Sequence, residues 1–193
     1  MMIKKEIRVL GLAFSPSGPI SRSRIQVVGV VYRGNRWLEG AMRTSFPPRA
    51  TDLSFAVSKM VTSSPHFPQL RVIVLDDLVA KTGHYVNVEA LSRKTRLPVV
   101  AVLRNRPRLK RASKESAKHY ARRVKVLESL QSERWRFRRR RFFIYSANLG
   151  EMDLSELLRV CASEEGIPEA ARVARIAVTT LERFFAGHPS GEG

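Results

Sequence analysis

The sequence predicts an α/β fold that carries both antiparallel and parallel strands. Three observations lead there. Val- and Ile-rich stretches flank a Gly34-Asn35 turn, two near-continuous apolar runs enclose a helical pattern, and the last third of the chain is helical in period. The 193 residues suit a single domain, expected over 1–187, and at 44% hydrophobic they are too apolar for a disordered basic chain.

Taken in order, Glu6–Phe14 and Gln26–Arg33 read as strands, and Gly34-Asn35 turns the second into Arg36–Arg43 as a hairpin. Pro47-Pro48 ends that run. Asp52 is placed to cap a helix reaching Thr62, with Phe55, Ala56, Lys59 and Met60 at helical spacing. Leu70–Leu75 and Leu97–Leu103 read as strands buried on both faces, and the helix near Val88–Lys94 between them makes a parallel crossover. Ser113–Leu130 is a helix candidate, and Arg134–Tyr145 alternates like one strand. Asp153–Ala162 and a segment from Pro168 to Phe185 close the fold as helices, and 188–193 reads as a disordered tail.

Charge then narrows the function. The net charge is +18, and residues 104–141 hold 16 basic residues against three acidic ones, a net +13. So localised an excess points to a polyanionic partner, DNA or RNA. On the helix candidate Lys114, Lys118, Arg122 and Lys125 form a basic stripe, and Arg104, Arg106, Arg108, Lys110 and Arg111 lead into it. On the strand candidate Arg134, Arg136, Arg138 and Arg140 share one face, spaced roughly 6.6 Å apart, with Trp135 and Phe137 opposite. Trp135, Phe137 and Tyr145 are either base-stacking platforms or inward packing. No apolar run approaches a membrane span, Met1–Glu6 lacks a signal's apolar region, and the single Cys161 excludes an internal disulfide. The expected address is cytoplasmic, with no membrane partner; oligomeric state is open.

Several strings in order resemble an archaeal family described as endonuclease V-like. They are KKEIRVLG, VVGVVYRGNRWLEG, QLRVIVLD followed by Val86-Asn87, LPVVAV and GIPEAARVARI. The resemblance implies an RNase H-like fold, with an antiparallel three-strand meander opening a mixed sheet and helices on both faces. It also implies carboxylates gathered around Mg²⁺ or Mn²⁺. Here the chain departs from the pattern. Where the family resembles G-I-D-D-G-P this sequence has Gly11-Leu12-Ala13-Phe14-Ser15-Pro16, and where it resembles D-A-T stands Arg49-Ala50-Thr51. Only Leu75-Asp76-Asp77 keeps an acid, matching L-D-G. Asp76, with Asp77, is therefore the candidate catalytic and metal-holding position, and Asp52 or Glu39 is the candidate second acid.

Lys81 and His84 fall on the loop after that strand and are candidate phosphate contacts, as is Arg49. Arg172 and Arg175 either reach over the sheet towards substrate or turn to water. The expectation from sequence is a nucleic-acid-binding protein whose cleavage is absent or weak, with Mg²⁺ or Mn²⁺ as cofactor only if it is catalytic. The alternatives are an Mg²⁺-dependent endonuclease acting through Asp76, and a basic scaffold subunit docking on an acidic protein or a ribonucleoprotein.

Overall fold

The structure, a computed structural model, describes residues 3–15, 24–47, 52–78, 85–106 and 132–187, together with Ala121, Val124, Lys125 and Glu128, which are helical. Seven strands form one sheet. They are β1 (Arg8–Phe14), β2 (Ile25–Arg33), β3 (Trp37–Phe46), β4 (Val72–Leu75), β5 (Val99–Leu103), β6 (Glu133–Phe137) and β7 (Arg140–Ala147). The helices are α1 (Ser54–Thr62), α2 (Val88–Thr95), α3 (Glu151–Cys161) and α4 (Glu169–Gly187). Strand order is β3-β2-β1-β4-β5-β7-β6. β1, β2 and β3 form the antiparallel meander, β1, β4 and β5 run parallel, and β7 and β6 close the sheet antiparallel.

Alternation along the strands builds two cores. Leu10, Leu12, Val27, Val31, Ile73, Leu75, Val99 and Ala101 pack beneath α1 and α2 with Leu53, Val57 and Leu91. On the opposite face Val9, Val72, Val74, Val100, Val102, Phe142 and Ile144 pack with α3 and the start of α4. Because β4 and β5 are covered on both sides they can be apolar at every position, which explains their unbroken hydrophobic runs. Each fully buried Val or Leu here contributes about 1.5–3 kcal/mol. Helix α4 lies directly on β1: a Cβ at Gly11 would overlap the Ala170–Ala171 backbone, so only glycine permits the approach. Ala170, Ala171 and Ala174 keep the helix side of that contact equally small.

Three sequence expectations are corrected. The β2–β3 connection holds three residues, Gly34–Arg36, with Gly34 at φ 59° donating its N–H to Ile7 O, and β3 runs on to Phe46. Helix α1 buries Ser54, Val57, Ser58 and Val61, one i, i+3, i+4, i+7 face, whereas Phe55 lies off that face and is exposed beneath the Lys94 ammonium. Asp52 lies before the helix and accepts the Ser54 N–H at 2.8 Å. The third correction concerns the arginine-rich strand. Glu133–Ala147 is not one strand but a hairpin, turning at Arg138-Arg139 with Arg138 at φ 52°. The alternation therefore breaks, and Arg138 and Arg140 leave the face that Arg134 and Arg136 share.

Candidate nucleic-acid interface

Two parts of the molecule gather the sequence-predicted residues. The first is the edge where the parallel strands end. Leu12 of β1 and Leu75 of β4 are register partners, and the Asp76 N–H donates to Leu12 O at 3.1 Å. Ala13 and Asp76 are thus the next neighbours on adjacent strands, and alternation turns both toward α4. Ala13 is buried in a small cluster with Val28, Val30, Ala174 and Val178. Asp76 is buried too, and its Oδ2 accepts from Arg175 Nε of α4, while Arg175 Nη2 reaches the Asp76 carbonyl at 3.4 Å. Ala171, Ala174, Arg175 and Val178 follow the i, i+3, i+4, i+7 spacing of one helix face, so the stripe that seats α4 on the sheet also carries this arginine. Burial pushes the Asp76 carboxyl above the ordinary carboxylate range; the Arg175 hydrogen bond and charge pull the other way, Asp77 raises it and Arg104 lowers it. Asp77 spends one oxygen, Oδ1, on the Leu78 N–H at 2.7 Å. Among the described residues no three His, Cys, Asp or Glu side chains come together as a metal-ligand group.

The second part is the β6–β7 ribbon at the sheet's edge. Trp135 and Phe137 pack against the α3-side core, and Tyr145 is buried on the other face, so the aromatic candidates are packing residues rather than open platforms. The arginines are outside. Arg136 and Arg141 are direct cross-strand partners, both exposed, and Arg134 lies on the same face opposite Phe143. Like charges so placed, with Cβ atoms about 4.5–5.5 Å apart, repel. Arg106 caps the same face, its guanidinium 5.5 Å from the Phe143 ring centroid. At the turn Arg138 stacks over Phe137, and Phe137 packs on Gly166, whose φ of 83° only glycine tolerates easily. Arg104 and Arg140 both pair with Glu165 on the α3–α4 loop, and a cleft of about 330 Å³ opens among Phe137, Arg138, Arg139, Arg140, Glu164 and Glu165.

The remaining candidates separate. Glu39 is held by Arg8 (2.7 Å) and Arg33 at the opposite end of β1, roughly 16 Å from Ala13 along the strand, and is no partner for Asp76. Burial raises its carboxyl, but the two arginines outweigh that and hold it below the ordinary range. Asp52 is exposed and bridges in parallel to Tyr85. Arg172 pairs with Glu169 at 2.6 Å on its own helix. Lys125 is helical and exposed. Arg49, Lys81, His84, Arg108, Lys110, Arg111, Lys114, Lys118 and Arg122 lie outside the described residues, as do 188–193. Arg141 was not singled out as a binding candidate from sequence, and Arg175 was singled out without its partner. Arg141 needed the hairpin register, and the Asp76 pairing of Arg175 spans 99 positions.

A sheet of this order, with its meander, parallel centre and crossing last helix, is the endonuclease V type of RNase H-like fold. A Ciona intestinalis endonuclease V, solved in complex with a 24mer DNA containing an inosine followed by a ribo-adenosine, superposes with a TM-score of 0.64 at 9% identity, covering 93% of this chain and 87% of that one. A protein of unknown function from Archaeoglobus fulgidus gives a TM-score of 0.73 at 23% identity, covering 91% and 98%. The chain belongs to the endonuclease dU family, whose profile matches residues 5–181. A UPF0215 protein of Methanothermobacter thermautotrophicus is 34% identical over 177 residues, 90% of this chain and 87% of the relative. Among the described residues no helix is long and apolar enough to cross a membrane.

Proposed function

We propose that this chain is a nucleic-acid-binding protein on an endonuclease V-like scaffold, with metal-dependent cleavage absent or weak. The observation that carries the reading is the Arg136–Arg141 cross-strand pair, flanked by Arg134 and Arg106 on one exposed face. A single charge is enough to guard an edge strand against unwanted pairing. Opposed arginines cost stability, and that cost is relieved when a phosphate lies between them. The endonuclease V solved with DNA supports a nucleic-acid partner for this fold.

The described donor set does not fit a divalent cation. Mg²⁺ needs an oxygen-rich site, and here Ala13 stands beside Asp76 while Asp76 is already engaged by a guanidinium. The family name, endonuclease dU, supports the rival reading of cleavage. One pair of experiments decides. Affinity for single- and double-stranded DNA and RNA should fall steeply as salt rises; a flat salt response overturns binding through phosphates. Incubation with Mg²⁺ or Mn²⁺ and deaminated, flapped or plain substrates should give no cleavage above an Asp76→Asn control. Cleavage that the control abolishes establishes the endonuclease instead.

A further inference from the structure

The ribbon leaves one well-placed cation unused. Arg175 has five N–H donors; Nε is taken by the Asp76 carboxylate and one Nη2 hydrogen points to the Asp76 carbonyl. Among the described residues the other three donors have no hydrogen-bond partner. The side chains differ in exposure, 4% for Asp76 and 53% for Arg175, so the anion lies inside and the cation's free edge faces solvent. We propose that Arg175 is a phosphate-anchoring residue, its guanidinium bridging the buried Asp76 carboxylate on one edge and a nucleic-acid backbone phosphate on the other. This rests on the reading of the chain as a nucleic-acid binder.

The chemistry is that of one cation joining two anions. A guanidinium does this through directed hydrogen bonds, and its planar fork suits two phosphate oxygens. Asp76 supplies orientation. Held at Nε and Nη2, the side chain has already lost the rotational freedom that an unrestrained arginine loses on binding. Arg104 follows β5, one strand over, and its charge is felt at Asp76, so a second cation flanks the same edge. A lysine offers neither the second edge nor the fixed plane.

Two variants separate an anchor from general positive charge. Arg175→Lys keeps the charge, and the double variant Asp76→Asn with Arg175→Gln leaves the net charge unchanged. Binding of a fluorescein-labelled oligonucleotide, followed by anisotropy across a salt series, should weaken on the order of tenfold in both. The log–log salt slope should become shallower by about one. Arg183→Gln, an exposed charge on the same helix, serves as the comparison and should change affinity by less, about twofold. Melting curves accompany each variant. In the unmodified protein, phenylglyoxal labelling read by peptide mass spectrometry should show Arg175 protected by the oligonucleotide, a measurement that no folding defect can confuse. If the parent chain binds but both variants bind equally well, or Arg175 labels at the same rate with oligonucleotide present, the anchor is refuted and the ribbon reading survives. If the parent chain binds no nucleic acid, both fall.

Discussion

The carboxyl edge of the sheet and the β6–β7 ribbon use the same residue, arginine, in opposite ways. At the edge Arg175 meets a buried carboxylate with one side of its guanidinium, and the rest of the side chain is half exposed. On the ribbon Arg136 meets Arg141, and nothing in that register pair offsets the repulsion. At the edge the chain supplies the arginine with an anion; on the ribbon Arg140 has Glu165, but Arg136 and Arg141 have only each other as register partners. The difference teaches that a net charge of +18 is not one property. It divides into cations that hold the fold together and cations that the fold tolerates.

That contrast can be broken most forcefully at the edge. Arg175→Ala leaves Asp76 buried without its cation and should cost about 2–4 kcal/mol in urea unfolding; a loss below about 0.5 kcal/mol would mean that the pair is merely a surface contact. A smaller effect of the same kind is expected at Glu39. Its carboxyl is held below the ordinary range in the fold, so its contribution is present above the unfolded carboxylate value and fades as pH drops through the folded one. Glu39→Gln should therefore destabilise by about 1 kcal/mol at neutral pH and by progressively less in acid, as followed by melting temperature against pH.

The ribbon should respond with the other sign. Arg136→Glu converts a repelling pair to an attracting one and should raise stability by about 0.2–1 kcal/mol while weakening nucleic-acid binding. A variant that loses both stability and binding would show that Arg136 belongs to the fold after all. The smallest expected effect is none. Burial pushes the Cys161 thiol up to about 12, so at pH 8 the folded protein should resist iodoacetamide and label only in denaturant. Rapid labelling without denaturant would show that the α3 seam opens.

Much of this fold is legible in the sequence because its signals are local. Gly34 and Asn35 mark the hairpin, and the four and five apolar residues of β4 and β5 can only be strands covered on both sides. The second hairpin is hidden because Arg138-Arg139 makes a turn without glycine, asparagine or proline, and Arg138 adopts a left-handed backbone that its side chain does not advertise. Treating 134–145 as one strand put four arginines on a line; the register instead sets Arg136 against Arg141 and places Arg140 opposite Phe137. Asp76 stands out by resemblance to a family pattern, whereas its partner depends on where α4 crosses β1, which is set by Gly11 and three alanines acting together.

The packing around Ala13 limits which side chains the edge can accept there. Position 13 sits 2% exposed in a seam with Ala174 and Val178, where the helix has settled to the size of a methyl group. A carboxylate arriving there by a single substitution would meet apolar walls and too little room, a change expected to cost several kcal/mol before any benefit could be selected. An acid at this position would need the Ala174–Val178 face of α4 to be recut around it. What position 13 can hold is set by the helix above it rather than by its own strand.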